Sequence, residues 1–310
     1  MSQFFARSAS SDSEAAAALA TAERTTTKSR NPWQLGWYRF KQNRTAIVGL
    51  VITLAFVVAA IFSPLIATHD PVKQSLSDAV QRPSREHFLG TDELGRDIFS
   101  RIVEGARISL SLSALSVSIG LLSGLVIGVV SGFYGRWVDM VLMRIIDVML
   151  AIPGLLLAIT IVAVIGVGLT SIIFAIAFSS IPTFARLARG RTLAVRSEEF
   201  ILAATAIGSS NRRLMIKHVV PNIIPPLIVQ TTLQLAAAIL TASGLSFLGL
   251  GAQPPTPEWG SMLSTGRAYL TSSPHVAVFP GIAIMLVVFG FNLLGDGLLF
   301  ALDPRSGRRA

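Results

Sequence analysis

Two carboxylates in or beside apolar runs, four histidines and the Ser243-Gly244 pair are the residues whose chemistry could act within so apolar a chain. Asp147 and Asp296 lie in or beside long apolar runs, and an acid at membrane depth is a functional suspect. A pair of such acids could activate water, as in membrane aspartyl proteases, but Gly295-Asp296 follows Leu293-Leu294, so the G-x-G-D arrangement is missing. Both acids fall near the cytoplasmic ends of apolar runs, and Asp296 is expected to be a cap or a polar pair close to the interface. His69, His87, His218 and His275 are scattered, and no H-E-x-x-H pair occurs, so no metal site is expected. The chain has no cysteine, which removes thiolate ligands and thiol nucleophiles. Ser243-Gly244 alone does not nominate a catalytic serine. No G-x-x-x-x-G-K-[ST] loop exists to cradle nucleotide phosphates. The chain is therefore read as neither an enzyme nor the holder of a cofactor.

The charged segment EEFILAATAIGSSNRRLMIKHVVP, 198–221, lies between two apolar runs. Its spacing predicts two short helices around a break. Ser197 is placed to cap the first, with Glu198 and Glu199 in its first turn, where carboxylates meet the positive helix end. Gly208 supplies the permissive backbone that ends it. Ser209 or Ser210 then caps a basic helix carrying Arg212, Arg213 and Lys217, which is expected to stop at Pro221. Such a bent pair would offer a soluble partner something to grip.

These segments need elements to hold them, and the composition says which. Hydrophobic residues make up 52% of 310 positions, only 14% are charged, and the mean hydropathy is +0.63. Soluble globules carry about 25% charged residues, so the chain is read as an all-α polytopic membrane protein. Runs long enough to cross about 30 Å of hydrocarbon occur at 46–66, 108–132, 148–167, 171–188, 222–250 and 276–302. Between the third and fourth, at Gly166 to Thr170, either two spans or a re-entrant pair fits. Six spans place the N-terminal tail, 133–147, 186–217 and the C-terminus on one side, with 19 of the 26 basic residues. The other side, 67–107 and 251–275, holds seven basic and eight acidic residues. The positive-inside rule then puts both termini in the cytoplasm of a bacterial inner membrane. The formal charge of +9 is thus a matter of orientation, and no nucleic-acid partner is expected. Residues 1–32, polar and rich in Ala, Ser and Thr, are expected to form a disordered cytoplasmic tail, with 303–310 as a cytoplasmic C-terminus.

Gly120, Gly124, Gly128 and Gly132 recur every fourth residue after Ser116 in the second span. Such a ridge lets a neighbouring helix approach closely in lipid, either as a fixed packing face or as a sliding surface. Farther out, HFLGTDELGRDIFSRIVEGARISL, 87–110, pairs Asp92 with Arg96 and Asp97 with Arg101 at helical spacing. That pattern predicts an amphipathic helix on the outer surface, with Gly90 and Gly95 at a turn and a close approach. It reads either as a salt-bridged surface helix or as an outer gate or docking face containing Asp92, Gly95, Arg96 and Asp97.

This outer segment, with ASGLSFLGLGAQPPTPEWGSML (242–263) and GFNLLGDGLLFALDP (290–304), resembles the C-type permease subunits of dipeptide, oligopeptide and nickel ABC importers. The likeness runs over about 33–304. Ala203-Ala204, Gly208 and Pro221 resemble the cytoplasmic coupling loop of such permeases, although Leu202 stands where that loop often has glutamate, and Ala242 stands where many relatives carry one. The resemblance implies a type I ABC importer permease fold. An N-terminal helix and outer segment (33–104) would precede a five-helix core (105–302), with a coupling loop at 186–221. It also implies a second homologous permease, two ATPase subunits or one two-domain ATPase that hold ATP and Mg, and an extracytoplasmic binding protein. Glu198, Glu199, Ala203, Ala204, Gly208, Arg212 and Pro221 would face the ATPase. The cargo would be short peptides, with nickel complexes as the alternative within the family. An ion-coupled secondary transporter would call for inverted repeats and midplane ionisable groups, and the sequence has no second copy of the 198–221 loop.

Overall fold

The structure, a computed structural model, describes residues 32–302. The expected tail, apart from Pro32, and the segment 303–310 lie outside the described residues. Among the described residues the chain is helical, and its only extended pairing is an isolated bridge between Thr91 and Asp97. Helix α1 (Pro32–Gln42) leads through Asn43 into α2 (Arg44–Ile61), whose first turn is capped by the Asn43 side chain accepting from the Thr45 and Ala46 amides. A long connector then reaches α3 (Ile98–Tyr134), followed by α4 (Arg136–Ala151) and α5 (Gly154–Ile165). Next come α6 (Leu169–Arg196), α7 (Glu199–Ala206) and α8 (Asn211–Phe247). The short α9 (Trp259–Gly266) precedes α10 (His275–Leu302).

Helices α2, α3, α6, α8 and α10 are each long and apolar enough to cross a membrane. The expected third span is not one helix. It is split at Ile152-Pro153 into α4 and α5, which meet at 92°. Proline has no amide to continue the helix and disfavours helical backbone in the residue before it, and Ile152 is accordingly extended.

The course of α3 beside α6 decides between two spans and a re-entrant pair. Gly120 faces Ala177 and Ser180, Gly124 faces Ile181 and Phe184, Gly128 faces Ala185 and Ala188, and Gly132 faces Arg189 and Thr192. Residue numbers rise together on both helices, so α3 and α6 run parallel. The chain between them, 135–168, must therefore return to the level from which α3 started. The bent pair α4–α5 is that crossing, which gives six in all.

Side-by-side contacts place the other ends. Gly36 lies beside Ala301, Gly297 beside Ala46, and Gly295 beside Thr232 and Leu233. Both described chain ends, the start of α4 and residues 196–221 thus share one side, while 67–97 and 251–274 share the other. Inside, Val117, Val129, Ile172, Phe184, Leu227 and Leu245 form one core among α3, α5, α6 and α8. Ile98, Ile239, Trp259, Val287 and Phe291 form a second beneath the connector. Outward-facing Val51, Leu54, Val126, Val164 and Met285 remain exposed, as lipid-facing surface requires.

Candidate functional site

The segment between α6 and α8 is built as a short helix pinned at one point. Ile201 is buried to 2% and seats α7 on the bundle, while Phe200, Leu202, Ala203 and Ile207 point outward. Ile207 is 84% exposed at the tip. Its neighbour Gly208 has φ +83°, with nothing within 4 Å of where a Cβ would stand. The turn closes with the Gly208 amide donating to the Thr205 carbonyl (3.0 Å) and the Ser209 amide to Ala204 (3.1 Å), the paired bonds of a Schellman end. Glu198 and Glu199 sit exposed at the start of α7 as expected.

Two expectations for this loop need correction. Ser197 does not cap α7: its hydroxyl donates back to the Ala194 carbonyl (2.8 Å) and closes α6, so Glu198 takes the cap position, without a side-chain bond. Nor does the basic helix stop at Pro221. It begins after Ser210 and continues through a π-helical turn, Met215–Val219, into α8. A proline ring collides with the carbonyl four residues earlier, here Lys217, and the widened turn lies at that place. Arg212 and Arg213 therefore stand exposed in the first turn of a 37-residue helix, where the helix dipole disfavours cations. Beside this turn an open hollow of about 460 Å³ is lined by Tyr134, Arg136, Arg196, Leu202, Thr205 and Asn211.

The same end carries two arginine–carboxylate links. Arg189 of α6 grips Asp139 of α4 with two bonds of 2.6 Å, and Arg186 meets Asp147 at 2.7 Å. Asp147, a suspect from sequence, is thus engaged in an ion pair. Among the described residues Asp296 neither caps a helix nor forms an ion pair: α10 runs on to Leu302, and the carboxylate is exposed.

At the opposite side, the predicted surface helix is absent before Asp97. Residues 87–97 form a bonded loop, because Gly90 (φ +79°) and Gly95 (φ +72°) turn the chain where the Gln81 and Ser75 carbonyls leave no room for a Cβ. Asp92 and Arg96 do pair, at 2.6 Å, but across this loop, and Arg96 also reaches Glu93 (2.9 Å). The second predicted pair does not form. Asp97 caps α3 through the Ser100 amide (2.8 Å), while the Arg101 guanidinium lies 3.3 Å from Asp92 and donates to the Pro71 carbonyl (2.9 Å). Asp92, Arg96, Asp97 and Arg101 are all buried. The fully buried Trp259 ties the second outer segment to α3 by donating to the Ile102 carbonyl (3.0 Å). Beside it Glu258 caps α9 through the Gly260 and Ser261 amides, and burial holds its carboxyl above the usual range.

The histidines are less scattered in space than in sequence. His69 and His87, eighteen positions apart, meet over Asp97, with ring centroids 4.7 Å apart, because the connector folds back on itself before α3. Sequence spacing held no sign of this, since the reversal is made by Gly90 and Gly95 rather than by a periodic element.

Comparison with known proteins follows the same lines. Residues 124–308 match the family model of the binding-protein-dependent transport system inner membrane component, and residues 31–83 match the N-terminal TM domain of oligopeptide transport permease C. A dipeptide transport system permease protein, DppC of Alkalihalophilus pseudofirmus, is 49% identical over 275 residues, covering 89% of this chain and 90% of the relative. The glutathione transport system permease protein GsiD of Escherichia coli is 46% identical over 277 residues, covering 89% and 91%. Among solved structures, an inward-facing MetNI methionine ABC transporter chain aligns with a TM-score of 0.55 at 19% identity, covering 66% of this chain and 98% of that one.

Proposed function

Since this chain belongs to the family of binding-protein-dependent transport system inner membrane components, we propose that it forms half of the translocation path of an ATP-driven importer of short peptides. The observation that carries this reading is nearly end-to-end similarity to permeases named for dipeptide and for glutathione, itself a tripeptide. Neither of these two relatives is named for a metal complex, so peptides rather than nickel complexes are the proposed cargo. ATP and Mg would be held by partner ATPase subunits, two of them or one with two domains. A single coupling loop per chain calls for a second homologous permease to engage the second ATPase unit. An extracytoplasmic binding protein would deliver the peptide to the face formed by 67–97 and 251–274.

The α7 tip supports the coupling role. Phe200, Leu202 and Ile207 are exposed apolar groups on a connection that also carries Glu198, Glu199, Arg212 and Arg213. A partner that covered them would bury apolar area and meet Arg212 and Arg213 with acidic groups. The purified chain alone should show no ATP hydrolysis, and peptide uptake into liposomes should require all partners. Uptake by the chain alone would end this assignment.

The side that bears α7 is proposed as cytoplasmic, from the 19-to-7 distribution of basic residues. The native chain has no cysteine, so single ones report cleanly. In intact cells an impermeant thiol reagent should label Glu86→Cys, which is exposed on the connector, and spare Ser210→Cys until the membrane is opened. The reverse pattern would invert the topology.

A further inference from the structure

We propose that His69, His87 and Asp97 bind a divalent transition-metal ion of the zinc type, which fastens the connector between α2 and α3 to the start of α3. Their ligand atoms all lie within 4.8 Å of one another. The His87 Nδ1 is 2.9 Å from one Asp97 oxygen, and the His69 Nδ1 is 3.9 Å from the other. Ligands about 2.0–2.1 Å from a tetrahedral ion stand about 3.3 Å apart, so the two separations bracket the required one. Small rotations of the two imidazoles would meet it. Two imidazoles and a carboxylate suit zinc and its neighbours rather than calcium or magnesium, which call for oxygen donors.

The surroundings orient these ligands. The Thr68 hydroxyl, 3.0 Å from the His69 Nδ1, would yield that nitrogen to the ion, while the Ser100 hydroxyl donates to Asp97 (2.7 Å) and accepts the His69 amide (3.0 Å). Supporting bonds of this kind fix the rings and carboxylates of metal centres. Asp97 and His87 are buried, whereas the His69 side chain is 38% exposed. An ion could thus enter at the His69 edge and keep water as its fourth ligand. A plain histidine–carboxylate bond accounts for His87 with Asp97. It does not account for a second imidazole, tilted 37° against the first, with its Nδ1 3.9 Å from the same carboxylate. The three ligands come from two ends of the connector and the cap of α3, so one ion would close a loop that is otherwise held by hydrogen bonds.

The test uses the full chain purified in detergent without a polyhistidine tag, stripped with chelator and titrated with Zn2+ against a chromophoric competitor. One ion per chain is expected. His69→Gln and His87→Gln should each weaken binding more than about tenfold, since even groups that merely support a ligand cost that much. His218→Gln with His275→Gln should leave it unchanged. Cobalt should give visible d–d absorption in the wild type that is absent from His69→Gln, a partly exposed position where folding is not at risk. Zn2+ should also raise the melting temperature of the wild type but not of the His69→Gln/His87→Gln pair. Binding that survives in the double variant, or no binding tighter than the double variant shows, would overturn the site.

Discussion

Gly128→Val is expected to remove the folded protein from the membrane. A Cβ at Gly128 would stand 2.4 Å from the Ala185 carbonyl oxygen, 2.6 Å from the Ala188 Cβ and 2.8 Å from the Arg189 amide. Two of these neighbours are backbone, which cannot turn aside, so α3 and α6 must separate. In lipid no hydrophobic force presses helices together, and close packing carries much of their association. Separation would also pull at the Asp139–Arg189 link and at Arg196, which covers the Phe133 ring at 5.7 Å. Overpacking against backbone within the 120–132 ridge should cost about 3 kcal/mol or more. Gly190→Ala, on α6 with nothing within 4 Å, should be neutral or gain up to about 1 kcal/mol. Alanine at the four ridge positions should grade the loss, with Gly128 worst, Gly124 next, and Gly120 and Gly132 mildest. Thermal unfolding and size-exclusion profiles in detergent check the series. A Gly128→Val protein that melts like the wild type would refute the packing argument. Normal melting with lost transport at Gly120→Ala would instead favour a ridge that slides.

The ridge was legible because small residues every fourth position can only be written on one helix face. The apolar runs were legible too, though hydropathy marks only their lipid-facing length. Helix α3 begins at Ile98 and α8 at Asn211, each ten or so residues before its apolar run, because hydrogen bonding continues into polar sequence. The third span is bent rather than straight for a local reason: Pro153 falls inside an unbroken apolar run, and only the backbone shows a right-angled turn there. At 87–97 the fourfold charge spacing fitted a helix, yet it is also the spacing across a tight loop closed by two left-handed glycines. The Asp92–Arg96 pair satisfies both, and Gly90 and Gly95 decide between them. At Pro221 the sequence rule that proline ends a helix met a π turn that accommodates it. Phe200 and Ile207 escaped notice because a patch of exposed apolar side chains has no spacing of its own. They could have been found only by asking which apolar residues of a charged loop α7 leaves unburied.

Gly208→Val is expected to lower peptide transport more than about tenfold while the protein inserts and folds normally. The two halves of that statement rest on different facts. Nothing lies within 4 Å of a Cβ at this position, so valine clashes with no part of this chain. The φ of +83° nonetheless costs a β-carbon on the order of 1–2 kcal/mol, and a β-branched residue more. The chain can escape that cost by opening the Schellman end, which breaks the bonds to Thr205 and Ala204 and releases Ile207 from its place. Global stability changes little, because α7 remains held by buried Ile201 and α8 by buried Leu214. What shifts is the relation of the apolar tip to Arg212, the surface proposed to meet the ATPase. Asparagine tolerates left-handed backbone, so Gly208→Asn should retain most transport if conformation is what matters. Loss in both variants would instead mean that the empty space itself is needed by a partner's surface. Transport, peptide-stimulated ATP hydrolysis and co-purification of the ATPase should be measured on the assembled complex. Full transport by Gly208→Val would show that the glycine only ends a helix.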